Sequence, residues 1–127
     1  MWCGPDAVAR LTEWDRHQAW LHIRYLREKA GARRMTDKPR GGTYTIEILK
    51  CFERAGFSAA RVPIPEGCRT LRKFWAYYKN EFRGGVFIEV RGHFIALRPS
   101  DPLPLYYAHR PIVQAYWITE KKLENAA

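Results

Sequence analysis

A cysteine and a histidine that could together perform thiol chemistry lie far apart in this chain. The cysteine is Cys3. Gly4 and Pro5 follow it directly. Proline is favoured in the first turn of a helix, because its fixed φ suits the helix and its missing N–H has no intrahelical acceptor there. We therefore expect Cys3 at the start of a helix, where unpaired N–H groups and the positive end of the helix dipole favour an anion. A cysteine in that place is favoured as the thiolate, the form that attacks a carbonyl carbon.

The second residue is His93. The apolar pattern predicts two strands, Val86–Val90 and His93–Leu97, joined by a two-residue turn at Arg91 and Gly92. Histidine is the side chain that most often exchanges protons near neutral pH. A cysteine at a helix start and a histidine on a distant strand are the two halves of a thiol nucleophile and its base.

Elements that place these two residues are predicted from apolar spacing and from capping residues. The expected helices run from Pro5 to about Glu13, from Asp15 to Gly31, from Thr43 or Thr45 to Gly56, and from Thr70 to Gly84. Strands are expected at Phe57–Ile64, Val86–Val90, His93–Leu97, about Leu105–His109 and Val113–Thr119. Helices come first, at about 1–83, and an antiparallel sheet follows at about 84–119. This order predicts an α+β fold in a single domain spanning 1–127.

The composition is that of a basic protein with enough apolar residues for a core. Of 127 residues, 46% are hydrophobic, and 22 Lys+Arg against 13 Asp+Glu give a formal charge of +9. Such a charge favours nucleic acid or an acidic protein as a partner, although most of it is spread along the chain as on an ordinary solvated surface. The densest basic cluster runs from Arg33 to Arg40. With no apolar run of about 18 residues and no signal peptide at the start, we expect no membrane contact. Three cysteines without close spacing fit the reducing cytoplasm.

The order of these motifs resembles the papain-like cysteine peptidase fold. The nearest resemblance is to the bacteriocin-processing, double-glycine-leader type of peptidase domain. In that group Cys-Gly-Pro and small apolar residues begin a helix, and Gly-His precedes an apolar strand. Here the matching segments are Cys3–Ala7 and Gly92–Leu97, and the middle segments Gly42–Tyr44 and Ala55–Phe57 look similar too. The resemblance implies helices packed on a sheet and a thiol hydrolase, a peptidase or isopeptidase, that acts on a protein or peptide without a cofactor.

The resemblance also implies roles for particular residues. Cys3 attacks the carbonyl carbon and its backbone N–H supplies part of the oxyanion hole, while His93 takes the thiol proton and returns it to the leaving amine. A papain-like enzyme orients its histidine with an Asp or Asn on the next strand. The candidates here are Tyr107, His109 and Asp101. The predicted pairing sets His93 opposite Tyr107 to His109, and leaves Asp101 roughly 13 Å away in the connecting loop.

Two departures from the family pattern keep a second hypothesis open. Papain-like enzymes carry a glutamine several residues before the nucleophile, whereas only Met1 and Trp2 precede Cys3 here. In addition, neither Tyr107 nor His109 is an acid. The second hypothesis is therefore a catalytically inactive papain-like protein whose basic surface binds nucleic acid or an acidic protein.

Other uses of the same residue types are also possible. Cys3 could be an ordinary core residue; we expect Cys51 in the core, on the third helix, and Cys68 in a loop. Structural zinc sites use closely spaced ligand pairs, and this chain has none, so no metal site is expected. Aromatic side chains could stack on bases, although their helical or alternating spacing is more typical of a core. These aromatic residues are Trp20, Trp75, Tyr77, Tyr78, Tyr106, Tyr107 and Trp117.

Overall fold

A computed structural model of the chain describes residues 2–32 and 42–121, so the basic cluster from Arg33 to Arg40 lies outside the described residues. The helices of the described part are α1 (Cys3–Leu11), α2 (Arg16–Lys29), α3 (Thr45–Arg54) and α4 (Leu71–Tyr78), with one 3-10 helix at Leu105–Tyr107. The strands are β1 (Phe57–Arg61), β2 (Gly85–Val90), β3 (His93–Leu97) and β4 (Ile112–Glu120). The predicted α+β class is therefore confirmed.

The four strands form one antiparallel sheet in the order β1-β4-β2-β3. Strand β1 lies before α4 in the chain and pairs with β4, so the sheet is not built from the C-terminal part alone. Strand β3 is an edge strand, because it pairs only with β2. One long side of β3 therefore has backbone N–H and C=O groups that no other strand in the described residues uses.

Apolar side chains pack on both faces of the sheet. On one face, α1, α2 and α3 bury Trp20 and Phe52 against Phe87. On the other face, α4 buries Phe74 against residues such as Ile88. Phe87 and Ile88 are neighbours in β2 and point to opposite faces, as the alternation of a strand requires. Burial of each large apolar side chain contributes about 1.5–3 kcal/mol.

Helix α1 packs very close to its neighbours, and glycine makes this possible at two points. A Cβ on Gly4 would lie 2.1 Å from Thr43 Oγ1 and 2.7 Å from Ile48 Cδ1. A Cβ on Gly85 would lie 2.4 Å from Leu11 Cδ2. The two glycines thus let α1 approach α3 at its first turn and β2 at its last, which fixes where Cys3 lies.

Several predicted element ends are confirmed. Asp15 caps α2 in a capping box with Gln18, and Thr70 caps α4 by accepting from the Lys73 N–H. The cap of α3 is Tyr44 rather than Thr43 or Thr45, and the Tyr44 N–H donates to Glu47 Oε1 at 2.8 Å. None of the helices in the described residues is both long and apolar enough to cross a membrane.

One predicted strand is wrong. Leu105–Tyr107 is a 3-10 helix after Pro104, and Ala108 is buried behind it instead of continuing a strand toward His109. The preceding prolines separate this segment from β3, so the two cannot form a hairpin. The predicted pairing of His93 with Tyr107 to His109 across a ladder is therefore also wrong.

Candidate active site

A groove of about 310 Å³ runs along the free edge of β3. One side of it is a stripe of α1 at helical spacing, which includes Cys3, Asp6 and Arg10. The other sides are β3 itself, from His93 onward, and the loop that leads to Tyr107. Cys3 and His93, ninety positions apart in the sequence, therefore border the same groove.

Cys3 is the first residue of α1, and its side chain is a half-buried free thiol. The first N–H bonded within the helix is that of Asp6, which donates to the Trp2 carbonyl at 2.7 Å. Trp2, the N-cap residue, offers no side-chain hydrogen bond to the helix end. The N–H groups of Cys3 and Gly4 have no intrahelical acceptor, and Pro5 has no N–H. Two amides are thus available for an anion beside the sulfur.

The other two cysteines lie in different surroundings. Cys51 is fully buried on α3, as expected, and its thiol donates to the Ala19 carbonyl at 3.6 Å. Burial, and to a smaller extent the charge of Glu47, raises the pKa of Cys51 to about 12. Cys68 is half-buried in a turn, and its N–H donates to the Pro65 carbonyl. It therefore lies in a loop, as expected. Neither residue borders the groove.

His93 is half-buried, and its imidazole stacks flat on the ring of Tyr107. The ring centroids are 4.1 Å apart and the planes differ by 5°. The Arg110 guanidinium lies 4.7 Å from the centre of the Tyr107 ring. Burial, and next the charge of Arg110, lowers the pKa of His93. The neutral imidazole is therefore favoured, which is the form that accepts a proton.

Cys3 and His93 approach the groove from opposite faces of β3. Phe94 and Ala96 pack with α1, whereas Ile95 and Leu97 pack on the side of α4. By alternation His93 belongs to the second set, consistent with its stacking on Tyr107. The groove passes around the free edge between the two side chains. No hydrogen bond joins Cys3 and His93, both of which lie within the described residues.

Of the three residues predicted to orient His93, the structure brings Tyr107 to the imidazole ring. Asp101 instead joins α1 to the loop: its carboxylate pairs with Arg10 at 3.1 Å and accepts from the Arg98 N–H at 2.8 Å. Burial alone would raise the pKa of Asp101, but the hydrogen bond from Arg98 and the charge of Arg10 outweigh it and lower that pKa. The side chain of His109 is exposed.

Three features of the site were missed by reasoning from the sequence. Asp6 and Arg10 border the groove, three and seven positions after Cys3, a helical spacing that was available as a signal. Arg110 contacts the ring of Tyr107 because the chain turns between the two residues, and no local sequence pattern predicted this turn. Glu89, an acid within an apolar strand, was the other available signal. Its Oε1 accepts from Thr45 Oγ1 at 2.5 Å and from Gln114 Nε2 at 2.6 Å. The Glu89 carboxylate is therefore already hydrogen-bonded to α3 and β4.

A larger cavity of about 520 Å³ lies at the far end of α1, near Leu11 and Gly85, and neither a cysteine nor a histidine lines it. Residues 2–32 and 42–121 contain no group of three or more His, Cys, Asp or Glu side chains that could hold a metal ion. Of these two cavities, the groove along β3 is the one that both a cysteine and a histidine border.

Comparison with known proteins assigns no family: no protein-family model, no curated protein and no solved structure matches this chain significantly.

Proposed function

We propose that this protein is a papain-like thiol hydrolase that cleaves a peptide or isopeptide bond, with Cys3 as nucleophile and His93 as base. The observation that carries the proposal is that both residues, each the first of its element, border one groove. The resemblance to bacteriocin-processing peptidase domains supports the same pair of residues. The lowered pKa of His93 leaves its imidazole neutral and able to accept a proton, while burial and the charge of Arg110 disfavour the imidazolium that then forms.

In the proposed reaction the Cys3 thiol gives its proton to the imidazole of His93, and the sulfur attacks the substrate carbonyl carbon. The C=O electron pair moves to oxygen, and the N–H groups of Cys3 and Gly4 stabilise this oxyanion. The C–N bond then breaks, and the imidazolium gives its proton to the leaving nitrogen. Water then attacks the thioester carbonyl carbon while His93 takes its proton. The C–S bond breaks, the carboxylic acid product leaves, and His93 returns the proton to the sulfur. Loss of one oxyanion donor typically costs about 2.7–4 kcal/mol.

The proposed reaction requires the His93 imidazole to come within hydrogen-bond reach of the Cys3 sulfur when substrate is bound. Nucleophile–base contacts are often looser in ligand-free enzymes than in complexes. The two residues already border a common groove, so a rotation of the His93 side chain away from Tyr107 is the motion that the mechanism needs.

A peptide substrate fits the shape of the site. The free edge of β3 offers backbone N–H and C=O groups along the groove. An extended chain can pair with such an edge as an added strand, and its alternate side chains then enter the groove. Pro102, Pro104 and Leu97 supply apolar contacts there, while Asp6 and Arg10 supply one charge of each sign.

The direct test is covalent labelling by a peptidyl electrophile directed at thiols, read out by intact mass and then by peptide mapping. The wild-type protein is expected to gain one adduct, on Cys3, and Cys3→Ala is expected to gain none. Cys68→Ala is the matched control, because it removes the other half-buried thiol and should keep the adduct. A wild-type protein that gains its adduct on Cys68 instead, or gains none, would contradict the proposal.

A second candidate keeps the fold and lacks the chemistry. Its support is that His93 is flanked by Tyr107 and Arg110, where a papain-like enzyme has an acid or amide. In this case the net charge of +9 would serve binding of nucleic acid or an acidic protein. A salt titration against an arbitrary duplex tests the binding part of the second candidate: affinity that falls steeply with salt favours binding, and no binding at about 50 mM salt excludes nucleic acid.

A further inference from the structure

We infer that a basic face beside the groove binds single-stranded nucleic acid. This basic face consists of Arg69, Arg72, Arg91, Tyr106 and Arg110. The arginines would hold phosphates, and the ring of Tyr106 would stack on a base. The inference does not depend on the chemistry of Cys3.

Backbone hydrogen bonds bring three separate segments together in this face. The Arg72 N–H donates to the Ala108 carbonyl at 2.9 Å, which places the start of α4 against the turn after the 3-10 helix. The Ile112 N–H donates to the Arg69 carbonyl at 2.8 Å. Arg110 Nη1 donates to the Arg91 carbonyl at 3.1 Å, which adds the turn between β2 and β3. The segments that carry Arg69 and Arg72, Arg91, and Tyr106 and Arg110 thus lie next to one another.

The charge of the basic face is not neutralised locally. Within the described part of the chain, the arginines that pair with carboxylates are Arg10, Arg16, Arg24 and Arg27, all on α1 and α2. The side chains of Arg69, Arg72 and Arg91 are exposed. Unpaired, exposed arginines from two segments, with the half-buried Arg110 of a third beside them, favour a polyanion, because each one can replace a counterion on a phosphate.

Tyr106 distinguishes nucleic acid from an acidic protein as the partner. Its side chain is 79% exposed, although an edge-on contact with Tyr107 at 4.9 Å holds the ring. The Arg110 guanidinium lies 5.4 Å from the centre of the Tyr106 ring. A fixed, exposed ring beside arginines is a platform on which a base can stack. The carboxylates of an acidic peptide have no aromatic face to stack on this ring. Bases are free to stack in single strands, which favours single-stranded over duplex nucleic acid.

The first experiment measures binding of a fluorescein-labelled oligothymidylate by fluorescence anisotropy between about 50 and 200 mM salt. The double variant Arg72→Gln/Arg91→Gln is expected to bind more weakly and to lower the slope of log K against log salt by about 1.4, since each single-strand phosphate contact contributes about 0.7. The matched control is Lys50→Gln/Arg54→Gln, which removes the same charge from α3 on the other face of the sheet. It should leave the slope unchanged. An equal loss in this control would overturn the inference.

The second experiment tests stacking. Tyr106→Ala is expected to lower the affinity for the oligothymidylate at least about fivefold. Tyr25→Ala is the control, because Tyr25 is a 57% exposed tyrosine on α2, and it should leave the affinity unchanged. Unchanged binding in Tyr106→Ala, together with equally strong binding of a polyglutamate peptide, would assign this face to an acidic protein and contradict the inference.

A third measurement separates this inference from the proposed hydrolase. Cys3→Ala should bind the oligothymidylate as the wild type does, and Tyr106→Ala should keep labelling by the peptidyl electrophile. Loss of oligothymidylate binding in Cys3→Ala would contradict the separation of the two sites. Thermal unfolding of each variant establishes that a loss of binding is not a loss of the fold.

Discussion

At the residue scale, the surroundings of each sulfur distinguish the three cysteines. Cys51 lies in an apolar core and donates to a carbonyl, which disfavours its thiolate. Cys3 lies at the first turn of a helix, beside two amides that have no intrahelical acceptor. The Cys-Gly-Pro pattern alone was enough to predict this difference, because helix starts and proline positions are local properties of the chain.

The stacking of His93 on Tyr107 gives a first prediction. Tyr107→Phe keeps the flat ring contact and should keep the rate at which the peptidyl electrophile labels Cys3. Tyr107→Ala removes the contact that the imidazole must leave to reach the Cys3 sulfur, and we expect the labelling rate to rise, by up to about tenfold, the change that corresponds to about 1.4 kcal/mol. The rate is measured by intact mass against time. A labelling rate in Tyr107→Ala below that of the wild type would contradict the proposed rotation of His93.

The charge of Arg110 gives a second prediction. Burial is the larger cause of the lowered pKa of His93 and remains when Arg110 is replaced, whereas the repulsion between Arg110 and the imidazolium is removed. The pKa of His93 in Arg110→Gln should therefore lie above the wild-type value. An NMR titration of the imidazole measures it, with His93→Gln identifying the resonance. A pKa that does not rise would contradict the stated cause.

At the element scale, the close approach of α1 to α3 gives a third prediction. Gly4→Ala should destabilise the fold by about 1–3 kcal/mol, the usual cost of added volume in a packed place. The new Cβ meets Thr43 Oγ1 and Ile48 Cδ1, so α1 must move and Cys3 with it. Gly42→Ala is the matched control, because its Cβ meets nothing within 4 Å. Urea unfolding measures both, and equal stability of the two variants would contradict the packing argument.

Elements that depend on nearby residues could be predicted from the sequence, and those that depend on distant pairing could not. The capping box of Asp15 and Gln18 is local, and the prediction was right. The segment after Pro104 has the composition of a strand, but it forms a 3-10 helix and does not pair with the free edge of β3. For the same reason the sequence did not reveal that β3 is an edge strand or that His93 stacks on Tyr107. The pairing of Cys3 with His93 in one groove was predicted through the resemblance, and their positions on opposite faces of β3 were not.

At the scale of the whole molecule, two apolar layers enclose one sheet, and the site lies along the free edge of β3. This placement leaves the groove open to an extended substrate and puts the basic face at the end of the sheet where β3 begins. The basic face and the groove thus lie close together and share Arg110. Variants at Arg72, Arg91 and Tyr106 test the basic face, and a variant at Cys3 tests the groove.

The titratable groups give a fourth prediction, on stability against pH. Burial, more than neighbouring cations, lowers the pKa of both His22 and His93, so the unfolded chain takes up these protons more readily. Stability should therefore fall as the pH drops below the ordinary histidine value of 6.5 toward the lowered values in the folded protein. Burial alone would raise the pKa of Glu47, but the hydrogen-bonded ion pair with Arg27 lowers it, so a second loss is expected as the pH falls below 4.5.

Urea unfolding at pH 7, 5.5 and 3.5 measures these losses, and the free energy of unfolding should decrease at each step. His22→Gln is the control for the first step, because it should reduce that step without changing the second. A free energy of unfolding that rises between pH 7 and 5.5 would contradict the assigned direction.

The most direct test of the Cys3–His93 pair is the rate of Cys3 alkylation by iodoacetamide between pH 5 and pH 10, in the wild type and in His93→Gln. We expect wild-type Cys3 to react faster than Cys51 and Cys68 at neutral pH, because the proposed base takes up its proton, and we expect His93→Gln to lose this advantage. Superimposable profiles for the two proteins would contradict the proposed pair.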